Sequence, residues 1–484
     1  MQGAGRWVPM AERVCLTLLC VWLLWLPLPF GSVVDRARLP LVAVPLALCT
    51  AAALVRLYAT RDRTNTAQPT RPWTIWGSGA LLFFAAGALQ LVPLPSPLLR
   101  WLSPDGHAIW SSASRVSMLA GEPARTYWPL TVDPAVTVAE LLRLGALFAA
   151  FTTAALLVRS HTRRRVLAAV LCAGALFEAL YGLRQAALQQ YEIWGWVNKL
   201  VFHRVTGTFV NPNHYAHYIA IVLPMALFLG ATLWHKAATP EHPVAARLAA
   251  VIERHAFLAG FALLAVLASL SALLLAQSRG ALISLAAGGI GVAALLPGRR
   301  VARVAFASAA GLLLVAALAL FLGPERTVAR FAPGEVGEQA GGRRDTIATA
   351  FRLWERFSLF GSGHGTFETV VSMEQNEDLE RIYNHAHNDY IEIAATAGTV
   401  GFTIAAVALI GGYVALVRMT FGAAARELTW ARRAFQAAAL ASIAIAAVHA
   451  LFDFNFFIPA NPSTLAVIAG AAVASIDHDR RTRR

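Results

Sequence analysis

The residues of this chain best suited to chemistry lie in RIYNHAHNDYIEIAATAGTVG, Arg381 to Gly401, where a polar, histidine-rich stretch runs directly into an apolar helix. His387 and Asn388 are followed after nine residues by Gly398 and then Gly401, the pattern H-N-x9-G-x-x-G. Histidine titrates near neutrality, so His387 is a candidate general base. Arginine is permanently charged and grips phosphate oxygens with a planar fork. Arg279, in QSRG, and the doublet Arg343-Arg344, in GGRRD, are the candidates for that role.

These residues belong to a wider set. Polar groups stand beside apolar segments at five places far apart in sequence: Asn211-Pro-Asn213-His214, Gln277-Ser278-Arg279-Gly280, Gly342-Arg343, His385 to Asn388, and His449 with Asp453 to Asn455. Polar and charged groups at membrane depth are costly and mark a function or a partner. Each place has a plainer reading. Arg279 can snorkel to headgroups, His449 and Asp453 can pair on one helical face, and Asn213 can cap a helix. Five coincidences at one face are better explained by one shared site, and Asn388 and Asp389 begin a helix whose N-terminus favours an anionic ligand.

The elements that must position them are membrane helices. With 57% hydrophobic and 14% charged residues and a mean hydropathy of +0.56, the chain lacks the charged surface of a soluble domain. Windows long enough to span a bilayer predict an all-α polytopic protein of about twelve transmembrane helices. The spans are 14–30, 39–58, 73–94, 135–158, 166–187, 213–234, 256–276, 281–297, 304–323, 388–417, 434–457 and the short 463–476. With both termini cytoplasmic, the inner segments hold about 24 of the 41 basic residues and about 7 of the 27 acids. The net charge of +14 is thereby explained as inward-facing loop charge, and a nucleic-acid partner is not expected. All five polar places then fall at the outer ends of helices. The first apolar segment reads as a retained helix and not a cleaved signal. The four cysteines lie in spans and offer neither a disulfide pair nor metal-type spacing.

Three outer loops are long. Residues 95–134 carry Leu98, Leu99, Trp101 and Leu102, an apolar patch suited to the headgroup layer. Residues 188–212 carry Trp194 and Trp196. In the longest, 324–387, Ile347, Phe351, Trp354 and Phe357 recur at helical spacing and predict a surface helix. The Gly361-Ser-Gly-His-Gly365 run after it fits a flexible connector or a close backbone approach to a ligand. The acids from Glu374 to Glu380 read as a solvated face. Gly398 and Gly401 read as close helix packing, Tyr390 as an interfacial anchor, and Glu140 with Arg143 as an i,i+3 pair.

The histidine motif, together with matches in chain order to GTFVNPNHYAHY, QSRGA, GGR with its amphipathic helix and GSGHGTF before it and HALFDFNFFIPAN after it, resembles the bacterial O-antigen ligase and polymerase superfamily, closest to the ligase branch. The resemblance covers roughly residues 200–465. It implies a GT-C-like fold in the inner membrane and a metal-independent, inverting glycosyltransferase that needs no cofactor. The donor would be an undecaprenyl pyrophosphate-linked glycan and the acceptor lipid A core, a growing polysaccharide or a protein, on the periplasmic side. Carried over to this chain, His387 takes the catalytic position, Arg279 and Arg343 or Arg344 the pyrophosphate positions. Asn211, Asn213, His214, His385, Asn388, Asp389, His449 and Asp453 are candidates to touch substrate or support those groups. Whether His387 is the base or only orients the acceptor stays open at this point. Residues 1–200 are expected to form an N-terminal helical region, 201–465 the catalytic region, and 466–484 the end of the last helix and a basic tail.

A transporter is the rival of another class. It predicts mid-bilayer charges, broken helices and paired repeats. Only Glu140, Arg143 and Glu178 are candidates for such charges, and no convincing repeat is visible in the sequence.

Overall fold

A computed structural model describes residues 7–60, 69–197, 203–237, 243–295, 333–374 and 383–474. The protein is an all-α polytopic membrane protein. Among the described residues nine helices are long and apolar enough to cross a membrane: Trp7–Trp25, Asp35–Ala59, Arg71–Leu89, Pro134–Leu157, His161–Leu188, Pro212–His235, Val244–Leu275, Asp389–Phe421 and Trp430–His449. Two shorter apolar helices, Arg279–Ala294 and Ala460–Val473, complete the set. Each overlaps an expected span. The expected span 304–323 lies outside the described residues, as do the acids from 375 to 380.

Local chemistry sets the helix starts. Asp133 accepts from the amides of Ala135 and Val136 at 3.1 Å ahead of Pro134, while Ser160 and Thr429 cap their helices in the same way. The Pro212–His235 helix lies at the centre, with 83% of its apolar window buried, against 22–56% for the other spans, which present their remaining faces to lipid. Small residues let helices approach. A Cβ on Gly79 would fall on Ala408, and one on Gly288 would strike Ile445.

Two differences from the sequence reading bear on the site. The helix expected to run to 457 ends at His449, so Asp453 lies in the following turn and cannot pair with His449 along one helical face. The surface helix is present as Pro333–Arg356, but its buried stripe is Thr346, Thr349, Ala350, Leu353 and Phe357, with Phe351 47% exposed. Of the predicted positions Phe357 is buried and Ile347 and Trp354 pack against the same cluster, whereas Phe351 faces away. Arg356 pairs with Asp105 at 2.6 Å, tying this helix to the 104–119 helix of the first long loop. In that loop the expected apolar patch is split, Leu99 being buried and Trp101 exposed.

Candidate functional site

Three helix N-termini and one helix C-terminus meet at one end of the bundle. Asn388 caps the Asp389–Phe421 helix, accepting from the amides of Tyr390 and Ile391 at 3.0 and 3.2 Å. Ser278 caps Arg279–Ala294 through the amide of Ala281. The Asn211 side chain accepts from the amide of Asn213 at 2.8 Å, so Asn211 is the cap and Asn213, expected in that role, is one turn residue further in. The residue before two of these caps, Gln277 and His387, sits at positive φ, 51° and 53°. Such backbone is sparsely populated for residues with a Cβ and is held by its surroundings.

Asp453 is what joins them. Its Oδ1 accepts from His387 Nδ1 at 3.1 Å, and its Oδ2 from Asn213 Nδ2 at 2.8 Å. Arg343 lies 3.5 Å from the same Oδ2. The carboxylate is 1% exposed, while its partners His387 and Arg343 are 27% and 36% exposed. Burial pushes the Asp453 carboxyl up. The hydrogen bond from His387 and the charges of His214 and Arg343 outweigh that and hold it well below the usual carboxylate range. An ionised Asp453 fixes the His387 proton on Nδ1, leaving the lone pair of the neutral ring on Nε2.

The sequence reading missed a member of this chain of bonds. Arg204 donates to the carbonyl of Ala276 at 3.0 Å and to Asn213 Oδ1 at 3.0 Å, which turns the Asn213 amide so that its NH2 faces Asp453. Arg204 stands three residues before the GTFVNPNH run, and its distance from the obvious motifs hid it.

Behind His387 the platform is aromatic and acidic. His385 stacks on Phe454, centroids 4.3 Å apart, and the His387 ring meets the same Phe454 edge-on at 5.0 Å. The two histidines therefore flank one ring, since the helix has not begun where they lie. Glu392 holds this turn, accepting from the Ala386 amide and bonding His385 Nδ1, both at 2.8 Å. Burial favours the neutral His385 ring, but Glu392 beside it raises it above its ordinary value. Asp389 accepts from the Phe456 amide at 3.2 Å, and Arg143, paired with Glu140 as expected, reaches the Phe456 carbonyl at 2.9 Å. Buried His214 bonds Asn455 at 3.0 Å. Tyr390, expected as an interfacial anchor, donates to the Ala447 carbonyl at 2.7 Å and joins two helices.

Beside this platform is a small cleft of about 20 Å³ lined by Asn213, Arg279, Arg343, His449 and Asp453. Arg344 is exposed and does not line it. The structure therefore brings His387, Asp453, Asn213, Arg279, Arg343 and His449 together, places His214, His385, Asn388 and Asp389 behind them, and leaves Asn211 as a cap and Arg344 outside. Among the described residues no group of three or more His, Cys, Asp or Glu is arranged to hold a metal ion.

Gly401 sits against Phe83 of the Arg71–Leu89 helix, as close helix packing predicts, but Gly398 does not pack helices in the expected way. Gly398 breaks its helix at φ 69°, and a Cβ there would strike the Gly361 amide nitrogen. A Cβ on Gly361, at φ 78°, would strike the Thr396 carbonyl oxygen. Through this mutual approach the amides of Ser362 and Gly363 bond the carbonyls of Ala395 and Thr396, and those of Thr399 and Val400 bond Ser358 and Leu359. Gln90 closes the joint, bonding His364 and the Thr396 carbonyl. The Gly361–Gly365 run is thus a backbone splint on the Asp389–Phe421 helix, neither a free connector nor a ligand loop.

Compared with known proteins, residues 263–406 match the family model described as O-antigen ligase, the Wzy_C domain. No curated protein matches the chain. The matched stretch carries Arg279, Arg343, His385, His387 and the Gly398 break, whereas Arg204, Asn213, His449 and Asp453 lie outside it and reach the site only through the fold.

Proposed function

From the O-antigen ligase domain at residues 263–406, which supports lipid-linked glycan transfer of the ligase or polymerase type, we propose that this protein is a metal-independent, inverting glycosyltransferase. It moves a glycan from undecaprenyl pyrophosphate to lipid A core at the periplasmic face of the inner membrane. The single observation that carries the reading is the Asp453 centre. One buried carboxylate is bonded to a half-exposed histidine and lies beside an arginine that opens onto the adjoining cleft.

In the proposed reaction the bond between the anomeric carbon and the pyrophosphate oxygen breaks as the acceptor hydroxyl oxygen bonds to that carbon. The hydroxyl proton passes to His387 Nε2, and Asp453 stabilises the imidazolium that results. Negative charge grows on the departing pyrophosphate, where Arg279 and Arg343 supply fixed positive charge. Arg343 is preferred to Arg344 because it lines the cleft. General base help of this kind is worth about 10²–10⁴ in rate.

The test is glycan transfer by the purified protein in chelator, with undecaprenyl pyrophosphate glycan as donor and lipid A core as acceptor. Transfer by wild type and its loss in a folded His387→Ala variant are expected. Lengthening of the donor glycan without transfer to lipid A core would make the protein a polymerase, and glycan appearing on a protein acceptor would make it a protein glycosyltransferase. An active His387→Ala variant would sink the assigned base.

A further inference from the structure

His449 is buried, 1% exposed, at the C-terminal end of the Trp430–His449 helix. Its Nδ1 lies 2.9 Å from Nδ1 of His217, which is equally buried on the central helix. A single proton bridges two such nitrogens, so the pair is a fixed unit and the remaining nitrogen of His449, Nε2, is the one left for other partners. That nitrogen faces Gly280. A Cβ there would lie 2.9 Å from it, and both residues line the cleft shared with Arg279 and Arg343. Nε2 makes no hydrogen bond to a described residue. Nε2 therefore opens onto the cleft. An anion there would be met by Nε2–H, the first turn of the Arg279–Ala294 helix and two guanidiniums.

We propose that His449 is a third pyrophosphate-binding residue beside Arg279 and Arg343, with His217 holding it so that Nε2–H points to the cleft floor. This rests on the transferase reading above and assigns a task to a pair of histidines that the chemistry at His387 leaves unused. The cleft has about 20 Å³ of space and is open to one side, room for about one oxygen-sized group. One phosphate oxygen would enter and the rest of the pyrophosphate would remain against Arg343 at the mouth. Gly280 is required because any side chain there would occupy the floor.

Binding of undecaprenyl pyrophosphate without glycan to the full chain in phosphatidylcholine nanodiscs tests this without transfer. Glutamine places its amide nitrogen near the position of Nε2, and asparagine near that of Nδ1. His449→Gln should therefore bind within about threefold of wild type, and His449→Asn should bind about 10- to 100-fold more weakly, the range for one hydrogen bond to a charged group. Gly280→Ala, which alters neither histidine but sets a methyl against His449 Nε2, should lose binding about tenfold or more. A merely structural His449 predicts the reverse order for the first two variants, because asparagine keeps the contact to His217. That order, or unchanged binding in His449→Asn and Gly280→Ala, overturns the proposal. Binding abolished by phosphatidylglycerol in the disc overturns it in favour of a headgroup site. A wild type that does not bind the pyrophosphate overturns the transferase reading itself.

Discussion

Two buried carboxylates, Asp453 and Glu178, show how differently the same group can be used. Glu178 is fully buried within the His161–Leu188 helix, and the groups that meet it are neutral and equally buried. Thr208 donates its amide to Oε2 at 2.9 Å and contacts Oε1 through its hydroxyl at 2.7 Å, with Gly207 against it at φ 55°. Asp453 is just as buried, but His387 and Arg343 carry its influence to the surface. A buried acid whose partners are all buried holds a fold together. One whose cationic partners open outward orders a site and leaves its far side available to a ligand.

The strongest way to break that contrast is Asp453→Asn. The amide keeps the volume but loses the charge that fixes the His387 tautomer, so transfer should fall about 10³- to 10⁴-fold with a folded protein by size-exclusion chromatography. A loss under tenfold would reduce Asp453 to a scaffold like Glu178. Next is Gly398→Ala. A side chain at φ 69° would meet the backbone of Leu359 to Gly361, and separating the splint should cost about 3–5 kcal/mol. The measurement is thermal unfolding in detergent, and an unchanged midpoint would refute the splint.

The helices were legible in the sequence because lipid as solvent demands long apolar runs, and each described run became a helix. The gathering of five polar places was legible for the same reason: charge beside lipid needs a partner. Asp453 as the centre was not. Its partners come from residues 213, 343 and 387, and nothing local in HALFDFNFF distinguishes an acid that pairs with its own helix from one that reaches three others. The role of Gly398 was misread because a glycine inside an apolar run looks the same whether it packs a helix or breaks one. Only the backbone of 358–363, brought against it, decides. Arg204 and Glu392 went unnoticed because each acts through a neighbour, Arg204 through Asn213 and Glu392 through His385.

The splint also carries a titrating group, which sharpens the comparison by showing where acid should act first. Burial lowers His364 to about 4, a shift the nearby Glu140 only partly opposes. Its folded value lies below its unfolded one, so its contribution is fully present above about pH 6.5 and is lost as pH falls towards 4, about 3 kcal/mol in all. Asp453, whose folded value lies below that of a free carboxyl, loses its contribution only in stronger acid. Unfolding midpoints between pH 7 and 4 should therefore fall in wild type and fall less in His364→Asn, which keeps a donor towards Gln90. Equal slopes would place the acid sensitivity elsewhere.

The smallest effect separates the two acids most sharply. The Thr208 hydroxyl has one hydrogen, yet it lies 2.8 Å from the Pro27 carbonyl, which can only accept, and 2.7 Å from Glu178 Oε1. Both contacts are satisfied when the threonine donates to Pro27 and Glu178 itself supplies the proton for the other. On that accounting Glu178 acts as a neutral acid, and glutamine reproduces it: the amide NH2 donates to the Thr208 hydroxyl and the carbonyl accepts from the Thr208 amide. Glu178→Gln should change stability by no more than about 1 kcal/mol and leave transfer intact, whereas Glu178→Ala, which strands the Thr208 amide, should cost about 2–3 kcal/mol. The same carboxylate-to-amide exchange would then be nearly silent at 178 and disabling at 453. Charge, and not shape, would be what the Asp453 site requires of its acid. A Glu178→Gln variant as unstable as Glu178→Ala would show that the buried acid is ionised after all and that the contrast lies only in the exposure of the partners.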